Sequence, residues 1–89
     1  MNARVAMIEE RLRNAFSPLS LDVVDESAQH VGHAGARRGG GHYALTIVAT
    51  QFAGHNPVQR HRMIYDALGD AMREEIHALS IRAYTPDEL

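Results

Sequence analysis

The 89-residue sequence contains no cysteine, no lysine and no tryptophan, and none of its apolar runs approaches the roughly 20 residues that span a bilayer. Without cysteine, the chain can form no disulfide, has no thiol nucleophile and cannot by itself supply an all-cysteine metal or iron–sulfur site. A small domain without disulfides fits a reducing compartment, so we predict a cytoplasmic protein that does not enter a membrane.

The charge balance is slightly acidic. All 9 basic residues are arginines, and 11 acidic residues outnumber them, which gives a formal net charge of -2. The chain therefore lacks the overall positive field on which non-specific nucleic-acid binding depends, although local basic patches remain available. A hydrophobic fraction of 45% is enough for one core, and the length is too short for two, so we predict a single domain over residues 1–89.

The first half of the chain reads as a helix followed by a hairpin. Apolar residues at spacings of three and four predict a helix over residues 3–16, with Asn2 as its N-cap. Alternating apolar residues predict one strand over residues 19–23 and a second over His42–Thr50. Residues 27–41 carry five of the seven glycines and show no periodicity, which indicates a long loop at the tip of an antiparallel hairpin.

A second helix is predicted from Pro57 to about Glu75, with Gly69 inside it. On its outer surface we expect an ion pair between Arg62 and Asp66, which are four residues apart. Six residues form its apolar stripe: Val58, His61, Ile64, Tyr65, Leu68 and Met72.

Four of the six histidines are predicted to meet at one edge of the sheet: His30, His33, His42 and His77. The last strand, Ile76–Thr85, follows a helical crossover, which joins parallel strands, so it begins at the same edge as the strand that His42 opens. Alternation along this strand places His77 on one face with Leu79, Ile81 and Ala83. Of the other two histidines, we expect His61 to be buried in the core and His55 to be a solvated loop residue.

Neutral imidazole is a ligand for zinc, iron, copper and nickel, so the four-histidine edge is a candidate metal site. The alternative is a set of solvated side chains on a loop and at a strand end. No compact ligand motif such as HExxH is present, and ordering a glycine-rich loop costs conformational entropy. A partial site that a partner completes therefore fits the sequence best.

Two stretches carry a resemblance to the BolA family. The longer is HYALTIVATQFAGHNPVQRHRMIYDALGDAMREEIHALSIRAYTPDEL, which is similar to the family's order of strand, phenylalanine-x-glycine turn, RHR helix and HALSI-type strand. The shorter, DVVDESAQH, resembles the start of the family's variable loop. The resemblance runs from about Leu19 to Glu88. It implies an α+β, two-layer domain of order α-β-β-α-α-β, similar to the class II KH fold. Its three-stranded mixed sheet would carry the helices on one face, and residues 27–41 would be the variable loop.

The resemblance also implies a function in iron–sulfur trafficking or iron sensing. BolA-like proteins pair with monothiol glutaredoxins and share a 2Fe–2S cluster, to which glutaredoxin and glutathione supply thiols and the BolA-like protein supplies imidazole. The histidine of the HALSI-type strand corresponds to His77, and the variable-loop ligand corresponds to His30. The loop is longer here than is usual in the family, so His33 and His42 are alternatives to His30. The isolated chain is expected to be a monomer without a cofactor, and to form a heterodimer with a glutaredoxin.

A second hypothesis is nucleic-acid binding and transcriptional regulation. A KH-like groove would lie near Gly54, Arg60 and Arg62, but the negative net charge and the missing lysines speak against it. No paired carboxylates, Ser-His-Asp arrangement or phosphate-binding glycine motif stands out, so we predict that the protein is not an enzyme.

Overall fold

Three helices and three strands make up the part of the chain that the computed structural model describes, residues 2–27 and 41–89. In chain order these elements are α1 (Ala3–Phe16), β1 (Ser20–Asp25), β2 (Gly41–Val48), α2 (Pro57–Leu68), α3 (Ala71–Glu74) and β3 (Ile76–Tyr84). Single 3₁₀ turns follow β2 and β3. The predicted α+β class and the order α-β-β-α-α-β are confirmed.

The sheet has the order β1-β2-β3 and is mixed, as predicted. β1 runs antiparallel to β2, with Leu21 opposite Ile47, and β3 runs parallel to β2, with Leu45 opposite Ile81. The crossover through α2 and α3 therefore brings the start of β3 to the start of β2, because parallel neighbours begin at the same edge.

One hydrophobic core lies between the sheet and the helices. The helices contribute fully buried residues such as Leu12 and Ile64, and Leu45 and Ile47 of β2 meet them from the sheet. Phe52, in the 3₁₀ turn after β2, is also fully buried, and its ring lies 5.1 Å from that of Phe16. The chain that connects the sheet to α2 is thereby anchored in the core.

Capping fixes both ends of α1. The Asn2 side chain accepts hydrogen bonds from the backbone N–H groups of Arg4 and Val5, which confirms the predicted N-cap. At the other end, Ser17 precedes a proline and leaves the right-handed helical region with φ 45°, while its N–H still donates to the Arg13 carbonyl.

The second predicted helix is shorter than its sequence pattern suggested. Gly69 does not lie inside this helix but is the C-cap residue of α2. Its φ of 57° departs from the right-handed helical range, in a region that glycine adopts readily and other residues adopt only with strain. Two members of the predicted apolar stripe, Val58 and Tyr65, are exposed. The expected ion pair between Arg62 and Asp66 is not observed. The ion pairs within residues 2–27 and 41–89 all involve other side chains.

The outward face of the sheet is open to solvent. A shallow groove of about 270 Å³ crosses it, with Asp22 on β1, Ala44 and Thr46 on β2, and Ser80 and Arg82 on β3 among its lining residues. None of the helices in the described ranges is both long and apolar enough to cross a membrane.

Candidate functional site

Two of the predicted edge histidines lie side by side. The ring centroids of His42 and His77 are 4.9 Å apart, and the ring planes are inclined by 51°. His77 is exposed, and His42 is partly buried. The prediction that the crossover brings these two residues to one edge is therefore confirmed.

The face on which His77 lies was predicted wrongly. Gly41 is opposite Ile76, but His42 is opposite Ala78, so His77 is an additional residue in β3 and forms a β-bulge. Ile76 is buried and Leu79 partly buried, whereas the two residues between them are exposed. The bulge thus separates His77 from the core-facing residues Leu79, Ile81 and Ala83 and places it beside His42.

Hydrogen bonds hold the end of β1 against this edge. The His42 N–H donates to the Ser27 hydroxyl at 3.0 Å, and the His42 carbonyl accepts from the Glu26 N–H at 2.7 Å. The Asp25 carboxylate accepts from the Ser27 N–H and from the Asn2 amide. Hydrogen bonds from Ser27, more than any other contact, hold the pKa of Asp25 below its usual value, so this carboxylate stays ionised. The chain therefore enters residues 28–40 from a point fixed beside His42.

The predicted loop ligands, His30 and His33, lie outside the described residues. Within the ranges 2–27 and 41–89, no group of three or more histidine, cysteine or acidic side chains is placed to hold a metal ion. The described part of the chain thus places two imidazoles side by side, and imidazole is a side chain that iron, copper, zinc and nickel accept as a ligand.

The remaining histidines are remote from this pair in the topology. His61 lies in the first turns of α2 and is only partly buried. The prediction of a histidine buried in the core is therefore wrong, because part of the residue is exposed to solvent. His55 is exposed before α2, as expected for a solvated loop residue.

Of the candidate nucleic-acid residues, Arg60 is occupied by contacts within the chain. Its guanidinium donates to both carboxylate oxygens of Glu88, at 2.6 and 3.0 Å, and to the backbone carbonyls of His55 and Ala83. Only 12% of its side chain is exposed. Gly54 and Arg62 are exposed, and among the described residues Arg62 forms no ion pair. The structure thus assigns Arg60 to holding the C-terminal segment and leaves Arg62 exposed to solvent.

This contact predicts a pH-dependent contribution to stability. The hydrogen bond from Arg60 lowers the pKa of Glu88 from 4.5 to about 2. A carboxylate with a lowered folded-state pKa stabilises the fold above its unfolded pKa, and that contribution is lost as the pH falls toward the folded value. Glu88→Gln should therefore be less stable than wild type at about pH 7, and the difference should shrink between about pH 5 and about pH 2. Urea unfolding at several pH values across this range measures the free energy of unfolding of both proteins. A difference between them that stays the same at every pH would contradict the prediction.

Sequence reasoning missed two residues that shape the histidine edge, Gly41 and Tyr43. Gly41 was placed in the loop, but it opens β2 and is buried, and the buried Tyr43 ring lies across it. Burial raises the pKa of the Tyr43 hydroxyl, which therefore stays protonated. A glycine directly before an alternating apolar run, which marks a bulge or a close approach, is the signal that could have indicated this role.

Comparisons with known proteins are consistent with one another. The family model for BolA, described as "BolA-like protein", matches residues 12–88. The chain is 43% identical to SufE-like protein 1, chloroplastic/mitochondrial, of Arabidopsis thaliana, over 100% of this chain but 25% of that protein. It is 42% identical to the DNA-binding transcriptional regulator BolA of Escherichia coli strain K12, over 91% of this chain and 74% of that protein. The solved BolA domain of SufE1 from Arabidopsis thaliana superposes with a TM-score of 0.88 at 42% identity, covering 100% of this chain and 99% of that one.

Proposed function

The chain belongs to the BolA family, and from that premise we propose that it is an adaptor in iron–sulfur cluster trafficking or iron sensing. In this proposal it binds a monothiol glutaredoxin and contributes histidine ligands to a 2Fe–2S cluster that the two proteins share with glutathione. Alone, the chain would be a monomer without a cluster, and with its partner it would form a heterodimer.

The pairing of His42 with His77 is the observation that carries this proposal. Two imidazoles 4.9 Å apart at an exposed edge are a donor set that iron accepts. A 2Fe–2S cluster needs four ligands, and the chain has no cysteine, so further ligands must come from other molecules. The donor set therefore fits a shared cluster and does not fit one that this chain holds alone.

His77 is the first choice among the ligands, because it is exposed on the bulge and corresponds to the histidine of the HALSI-type strand. For the second ligand we keep His30, with His33 and His42 as alternatives. His30 follows Ser27 by three residues, a span of roughly 10 Å of extended chain. The Ser27 hydroxyl in turn contacts the His42 backbone, so the chain leaves the described residues beside the pair.

Imidazole ligands would change the chemistry of the shared cluster in one respect. Histidine in place of thiolate on one iron raises the reduction potential of a 2Fe–2S cluster. The contribution of this chain would be to present and orient these imidazoles. We propose no catalytic role for them.

Mixing the chain with a cluster-loaded monothiol glutaredoxin and glutathione tests the proposal. We expect the visible absorption and circular dichroism of the cluster to change on addition of the wild-type chain and to saturate at one chain per glutaredoxin. The apo-glutaredoxin with the same additions is the control. Spectra that equal the sum of the separate components would overturn the proposal.

Nucleic-acid binding is the second candidate, because the Escherichia coli relative is named a DNA-binding transcriptional regulator. The exposed Arg62 is the one predicted arginine that remains available for a phosphate, since Arg60 is bound to Glu88. A second arm of the experiment titrates the chain with duplex DNA at low and high salt. Binding that weakens with salt would support this candidate, and no binding at low salt would remove it.

A further inference from the structure

Gly41 and the ring of Tyr43 make a close contact within β2, next to the bulge in β3. A Cβ atom added to Gly41 would lie 2.5 Å from both Cε2 and Cζ of Tyr43 and would also overlap its hydroxyl oxygen. Real Cβ atoms do not approach other heavy atoms this closely, so no side chain fits while the ring stays in place. Tyr43 is only 3% exposed and belongs to the hydrophobic core, so neighbouring side chains restrict the movement of its ring.

Gly41 also sets the position of β3 at this edge. Its N–H donates to the Glu75 carbonyl at 3.2 Å, and it pairs with Ile76, the first residue of β3. The bulge follows at once, because His42, the next residue of β2, is opposite Ala78. A shift of Gly41 would therefore move both strands where the two imidazoles are carried.

We propose that Gly41 is a positioning residue of the histidine pair. By leaving space for the Tyr43 ring, it lets β2 approach Glu75 and Ile76, and this approach holds His77 on the bulge beside His42. The inference rests on the proposed function for its biological meaning, since the pair is proposed there as a source of ligands. Its geometric content stands on the isolated chain alone and can be tested there.

The test combines Gly41→Ala with two substitutions of Tyr43, all measured on the isolated chain. In wild type, nuclear Overhauser effects between the His42 and His77 ring protons report their contact. Gly41→Ala should abolish these effects and weaken Zn²⁺ binding by roughly 10-fold to 100-fold, as for other changes that misorient metal ligands. Adding Tyr43→Leu removes the ring atoms that overlap the new Cβ and should restore both signals. Adding Tyr43→Phe retains Cε2 and Cζ and should restore neither.

Gly69→Ala is the matched control. Its positive φ makes alanine strained, so it should lower the thermal midpoint, but the nearest atom to its new Cβ is Arg11 Nη1 at 3.8 Å. The ring contact and Zn²⁺ affinity should therefore stay at wild-type values, which separates positioning from loss of stability. If Gly41→Ala alone does not fold, the leucine double variant carries the test, since it is expected to fold and to show the ring contact.

Three outcomes would overturn this inference: an unchanged ring contact in Gly41→Ala, equal rescue by leucine and phenylalanine, or a folded leucine double variant without the contact. None of them depends on a partner. If wild type fails to change the cluster spectrum while Gly41→Ala still abolishes the ring contact, the proposed function fails and the positioning role holds.

Discussion

Phe52→Ala is expected to lower the free energy of unfolding by about 3–5 kcal/mol, the usual cost of deleting a fully buried phenylalanine side chain. Phe52 has no exposed surface and packs against Phe16, so its removal leaves a cavity that few neighbours can fill. A domain of this length has about 4–13 kcal/mol of stability in total. The thermal midpoint should therefore fall by more than roughly 10 °C, which calorimetry or circular dichroism would measure.

Leu19→Ala is the control for this prediction, because Leu19 is a large apolar residue that is 69% exposed. Its substitution should change stability by no more than about 0.5 kcal/mol. Phe52 belongs to the phenylalanine-x-glycine turn that resembles the BolA pattern. The structure explains why a phenylalanine is needed at this position, because its side chain anchors the turn between β2 and α2 in the core. A loss below about 1 kcal/mol would contradict this role.

Local signals in the sequence were enough to predict most of the fold. The bounds of α1 follow from the Asn2 cap, the apolar spacing and the step before Pro18, all of which act within a few residues. The pairing of the strands follows from connectivity, since a long crossover joins parallel strands. The meeting of His42 and His77 at one edge is a consequence of the same rule, and it did not require any knowledge of packing.

The errors arise where tertiary contacts override a periodic pattern. Period-two alternation cannot reveal an additional residue in a strand, so His77 was placed on the wrong face. The apolar stripe of the second helix continued in the sequence past Gly69, and only the backbone conformation shows that the helix ends there. Similarity to the KH fold and the roles of His30 and His33 stay predictions.

His77→Ala is expected to abolish the spectral change that the wild-type chain produces with cluster-loaded glutaredoxin and glutathione. His77 is exposed, and in the proposed complex its imidazole lies at the edge where the partner's sulfurs would have to arrive. Its loss therefore removes the proposed ligand and little packing. The candidates for the second ligand are His30, His33 and His42, and each is replaced by alanine in turn. The variant that also abolishes the change identifies the second ligand.

His55→Ala is the matched control, since this exposed histidine precedes α2, at the opposite end of the topology from the pair. It should leave the spectral change intact, and circular dichroism in the far ultraviolet should show that every variant is folded. An unchanged response from His77→Ala would place the ligands elsewhere. His77→Cys provides the chemical test, because a thiolate can occupy the same coordination position. Unlike His77→Ala, this variant should still produce a spectral change with cluster-loaded glutaredoxin. It should lower the reduction potential of the shared cluster by on the order of 100 mV, since thiolate ligands favour the oxidised cluster more than imidazoles do.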